Sequence, residues 1–103
     1  MAYTIRTIER ILPYLKEDLM RVLLTEHFLE KMEHRCIDDD IICDVVANRT
    51  PKSIVKFKDS GINFELTYDW DDEEDLVVIL AAHPPRSVIL VSAYFREVFN
   101  EDS

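Results

Sequence analysis

Glycine occurs once in the 103 residues and proline four times. That excludes linker-like and low-complexity character. Basic residues are scarce: Lys and Arg number 12 against 21 Asp and Glu, a net charge of −9. Broad, sequence-independent binding to nucleic acid needs clustered Lys and Arg, so this balance counts against it. No apolar run approaches the ~20 residues of a membrane span. The first ten residues are amphipathic and contain Glu9, so they do not read as a signal peptide. The two cysteines, Cys36 and Cys43, fit no zinc spacing. They are expected to be reduced and buried, in a cytoplasmic, non-membrane protein.

What is present is a core. Apolar residues make up 48% of the chain, enough to bury a single domain spanning 1–103. Its expected parts are a helical segment (1–21), a core (22–95) and a tail (96–103). The charge is uneven. Up to residue 37 the basic groups (Arg6, Arg10, Lys16, Arg21, Lys31, Arg35) equal the acidic ones (Glu9, Glu17, Asp18, Glu26, Glu30, Glu33). The excess acid follows, much of it in Asp69 to Asp75. That run lacks the spacing and glycine of a calcium loop and reads as a solvated turn.

Periodicity gives the order of elements. Ile5, Ile8, Ile11, Leu12, Leu15 and Leu19 predict a helix over 4–20, kinked or restarted at Pro13. Val22 to Leu24 is a short β-like run, read as an edge strand. Thr25 caps a helix ending near Arg35, and Asp38 caps another, with Ile37 and Ile42 able to form a hydrophobic staple. Ile41, Ile42, Val45 and Val46 form its buried face. After Pro51 the period becomes two. Strands are expected around Val55–Phe57, from Ile62 to Trp70, over Leu76–Ala82 and over Val88–Tyr94, with turns at Asp59–Gly61, Asp71–Asp75 and His83–Arg86. The expected class is α+β, N-terminal helices packed on a four-stranded antiparallel β-meander.

One helix face carries candidate chemistry. Phe28, Leu29, Met32 and Cys36 share the core side, while His27, Lys31 and Arg35 form a row four residues apart on the other. His27 falls in the first turn, where the dipole favours the neutral imidazole. A proton-transfer group beside two fixed cations is what metal-free phosphodiester cleavage requires. The plain alternative is a solvated face: Glu30 pairing with His34, Lys31 with Glu26, and Arg35 bracing the sheet. His27 and His34 are seven apart, too far for ordinary shared metal coordination, so no metal or cofactor is expected. Cys43 reads as packing rather than a nucleophile.

The run Thr25-x-His27-x-x-x-Lys31-Met32-x-x-Arg35-x-Ile37 is followed by an Asp-led helix, strands and the closing triplet Ser92-Ala93-Tyr94. This order resembles domain-of-unknown-function family 4258, itself similar to the BrnT and RelE/ParE toxins. The likeness spans residues 22 to 95. It implies a RelE/BrnT-like fold and a metal-independent ribonuclease of a toxin–antitoxin pair. By that resemblance His27 transfers the proton, Lys31 and Arg35 hold the phosphate, and Tyr94 is a further polar or stacking group. The implied partners are an RNA substrate and an antitoxin. Lys31 stands where the family has arginine, Phe28 where it has alanine, and Cys36 where it has glycine. The other reading is a non-catalytic protein-interaction module, with an exposed apolar patch or an open strand edge. Phe95, Val98 and Phe99 suit such a contact, including a homodimer, and equally suit covering the sheet.

Overall fold

A computed structural model of the chain describes residues 3–8, 20–57, 63–83 and 87–98. The elements run β1 (Tyr3–Ile8), β2 (Met20–Thr25), α1 (Glu26–His34), α2 (Asp39–Asn48), β3 (Ser53–Lys56), β4 (Asn63–Asp69), β5 (Glu74–His83) and β6 (Ser87–Glu97). All six strands join one sheet in the order β1-β2-β6-β5-β4-β3. The two helices pack against it in an α+β arrangement.

The sheet departs from the expected meander. β3 to β6 are antiparallel neighbours in chain order, but the sheet continues through β2, which pairs parallel with β6, and ends at β1. It is therefore six-stranded and mixed. The helix expected over 4–20 is overturned at Tyr3–Ile8, which is a strand. The residues there are mostly aromatic or β-branched, types that favour a pleated surface, and a partner strand outweighs the helical spacing of Ile5 and Ile8. Residues 9–19, and Pro13 with them, lie outside the described residues, as do the turn at 59–61, residues 84–86 and Phe99. β2 is also not an edge strand: it lies between β1 and β6.

The core sits between the helices and one face of the sheet. Val22 and Leu24, Phe28 and Met32, Ile42, Val45 and Val46, Leu66 and Tyr68, Leu76, Val78 and Leu80, and Val88, Leu90 and Ala93 are all buried in one cluster. Burying a side chain such as Phe28 or Met32 stabilises by about 1.5–3 kcal/mol. Cys43 is buried among them, as expected, whereas Cys36 is exposed, contrary to expectation. Both are free thiols.

Cys36 is exposed because it turns the chain out of α1. Its φ is 56°, in the left-handed region. Its N–H donates to Glu33 O at 3.1 Å and that of Ile37 to Met32 O at 2.9 Å, closing the helix and seating Ile37 against the core. A residue with a Cβ is strained there, at roughly 1–2 kcal/mol. Cys36→Gly is therefore expected to raise stability by about 1 kcal/mol in denaturant unfolding. A loss of stability would show that the left-handed turn is not strained.

Candidate functional site

Thr25 is the point from which the α1 row is built. It ends β2, and its Oγ1 accepts from Phe28 N at 3.0 Å, capping α1. β2 covers β6 only as far as Leu90. Beyond that residue the odd-numbered backbone groups of β6 point towards where β2 would have continued. This follows from the even-numbered residues bonding β5, as Val98 N–H does to Glu73 O at 2.8 Å.

The two cations of α1 take the place of the missing strand. Lys31 Nζ donates to Val91 O at 3.4 Å. Arg35 Nη1 donates to Ala93 O and to Ser92 Oγ, both at 2.9 Å. Four residues along a helix advance about 6 Å and two along a strand about 6.6 Å, so spacings of four and two match. β6 bulges here: Leu80 pairs with Leu90 and Ile79 with Ser92, leaving Val91 as the extra residue. Arg35 thus braces the sheet. The expected pairing of Lys31 with Glu26 gives way to its bond with Val91 O.

The other row members stand apart from this brace. His27 is exposed, and no hydrogen bond or ion pair of its side chain occurs among the described residues. Tyr94 is half-buried and pairs with Val77. Its neighbours Ala93 and Phe95 pair with Val78 and Leu76 and belong to the helix-side core, so Tyr94 faces the opposite side of the sheet. The structure brings Lys31 and Arg35 together on β6, leaves His27 at the helix start in solvent, and does not bring Tyr94 to the row.

Tyr94's face carries a polar network that periodicity did not single out. Lys52 Nζ bridges Asp75 at 2.8 Å and Asp69 at 3.1 Å, while Arg96 Nη1 meets Glu65 at 3.1 Å and its Nη2 reaches Thr67 Oγ1. The signal was cross-strand register, which a single strand does not show. Each cation there already has a carboxylate, so the network knits strands rather than inviting an anion. The hydrogen bond to Asp75, then that to Asp69, holds Lys52 above its ordinary 10.5, against slight desolvation. A raised folded pKa adds stability that is whole below the unfolded value and is lost as pH climbs through the folded one. A hollow of about 490 Å³ lies at the β4–β5 turn and the end of β6, lined by Asp72, Glu73, Glu74, Glu97 and Val98. It takes in none of the predicted site residues, and its acidity is wrong for phosphate.

β3 is the second surface. It is outermost in the sheet, and all four of its residues are exposed. Ile54 is 39% and Val55 50% exposed, two of the four large apolar side chains exposed among the described residues. From Arg49 to Lys58 the sequence holds Arg49, Lys52, Lys56 and Lys58 and no acid, a basic run visible in the sequence itself. Arg49 lies 5.3 Å over Trp70, and Lys52 is paired. Lys56 is exposed, with no ion pair among the described residues.

No protein-family model matches the chain, nor does any curated protein or solved structure. Among the described residues no cluster of three His, Cys, Asp or Glu could hold a metal, and no helix is long and apolar enough to cross a membrane.

Two outcomes are expected. Arg35→Met lowers unfolding stability by about 1 kcal/mol, whereas His27→Ala stays within about 0.5 kcal/mol. Equal effects would deny the brace. The stability gap between wild type and Lys52→Met is widest below pH 10.5 and narrows above it. A gap independent of pH would deny the Lys52 bridge.

Proposed function

We propose that this chain is a non-catalytic protein-interaction module that offers an open edge of its sheet to a partner chain. One observation carries the reading: the outermost strand β3 leaves Ile54 and Val55 in solvent beside backbone groups that no described strand covers. Strand addition uses such an edge, main-chain bonds supplying affinity and alternate side chains specificity. The cations of the α1 row support the same reading, because both donate to β6. With −9 overall, the chain also lacks the field that gathers RNA.

A second reading keeps specific support. The order β2–α1–α2 followed by β3 to β6, with Thr25, His27, Lys31, Arg35 and Ser92-Ala93-Tyr94 at the quoted positions, favours the likeness to family 4258. On that reading the protein is the metal-independent ribonuclease of a toxin–antitoxin pair. His27 acts at the start of α1, and the unused donors of Lys31 and Arg35 meet the phosphate. Tyr94 then has no part in the same site, since it lies across the sheet. An antitoxin would be the partner at the open edge, and a homodimer an alternative use of it.

Induced expression, with growth and RNA integrity followed, separates the two. His27→Ala suits the comparison because the His27 side chain is exposed and makes no hydrogen bond or ion pair among the described residues. The proposal expects wild type and His27→Ala to behave alike and leave RNA intact. RNA cut by wild type and spared by His27→Ala would overturn it and favour the ribonuclease.

A further inference from the structure

The β3 edge carries enough detail to say what it recognises, given that the chain works through protein contacts. Phe57 N–H donates to Asn63 O at 2.9 Å, and Ser53 and Val55 pair with Thr67 and Glu65. In an antiparallel ladder hydrogen-bonded and non-bonded pairs alternate. Residues 53, 55 and 57 therefore turn their backbone groups to β4, and Ile54 and Lys56 turn theirs outward. Side chains alternate across the other axis. Ile54 and Lys56, opposite Leu66 and Phe64, point to the helix side, and Val55, opposite Glu65, points to the far side.

A second copy of this chain satisfies the edge less well than an acidic strand does. Antiparallel self-pairing through the outward groups has three registers centred on this strand. Ile54 opposite Ile54, or opposite Lys56, leaves Lys56 of each copy without a carboxylate across from it. Lys56 opposite Lys56 is a direct clash of charge. Like charges facing across a strand pair destabilise it. The chain's overall −9 adds repulsion between copies. An acidic residue opposite Lys56 supplies what a second copy does not, because Lys56 has no carboxylate partner among the described residues and no acid lies between Arg49 and Lys58.

We infer that β3 docks an extended, antiparallel peptide segment of a partner protein whose sequence presents an acidic residue followed by two apolar ones. The acid lies opposite Lys56, and the apolar residues lie opposite Val55 and Ile54, one on each face of the extended sheet. The N–H and C=O of Ile54 and Lys56 bond the incoming backbone. The specificity is electrostatic and sits at Lys56. The apolar pair covers side chains that are otherwise in water.

The test uses the full chain and two synthetic peptides, acetyl-Thr-Thr-Glu-Val-Val-Thr-Thr-amide and the same peptide with Lys for Glu. NMR titration follows the backbone amides. The proposal expects the acidic peptide to shift Ile54 and Lys56 most and to bind about tenfold more tightly than the lysine peptide. Lys56→Glu is expected to reverse that order. Ile54→Pro removes an outward N–H while sparing the β4 pairing, a position where an edge strand accepts proline. It is expected to abolish binding with the rest of the amide spectrum unchanged. Should that variant fail to fold, the Lys56→Glu reversal decides alone. Equal binding of both peptides, shifts centred on α1 or on the open half of β6, or no binding by either peptide overturns the proposal. In the last case short flanking lysines serve only to keep the edge unpaired. Shifts on β6 would leave the interaction reading standing with a different edge. Cleavage of RNA would remove that reading itself.

Discussion

The fold turns on how β6 is completed after β2 stops. Thr25 ends the strand by capping α1, and that leaves half of the neighbouring strand without its ladder. Buried or half-buried carbonyls without partners are costly, so something must donate to them. Lys31 and Arg35 do this from the helix that replaced the strand. Charged donors to backbone carbonyls are stronger than neutral ones, and two of them one helical turn apart fix both the height and the rotation of α1 on the sheet. The burial of Phe28 and Met32 follows from that seating.

This interaction also decides how the charged row is read. A row of His, Lys and Arg on an exposed helix face suits phosphate chemistry when its donors converge on a hollow. Here two of the three lean onto the sheet, and the third stands in water at the helix start. Among the described residues an exposed cation with no ion pair is found elsewhere, at Lys56, on a strand whose outer backbone groups no described strand covers. The functional weight moves from the helix to the sheet edge for that reason.

Much of the fold was legible where local chemistry settles the outcome. Thr25 and Asp38 side chains accept from Phe28 N and Asp40 N, so the two caps and both helices could be placed from sequence. The change to period two after Pro51 likewise announced β3 to β6. The reading failed where a distant partner decided. Tyr3 to Ile8 fits both periods, and only pairing with β2 makes it a strand. The parallel contact of β2 with β6 joins residues far apart in the chain and leaves no local mark. At the candidate site, the alignment of His27, Lys31 and Arg35 on α1 was readable. A brace from Arg35 to the sheet was open as the plain alternative, but the bond of Lys31 to Val91 and the choice of Ala93 for Arg35 were not readable, because they depend on where β2 ends and on a bulge in β6. The face that Tyr94 takes was not readable for the same reason, since it is fixed by pairing with Val77.

The central claim is that β3 presents an uncovered edge, with Ile54 and Lys56 turned to solvent. Native-state hydrogen exchange of the free protein, read amide by amide, addresses it directly. The account predicts fast exchange at Ile54 and Lys56 and slow exchange at Val55 and Phe57, an alternation along one short strand. Slow exchange at all of them would mean that the edge is already covered, and uniform fast exchange would mean that β3 is not held in the sheet; either result contradicts it.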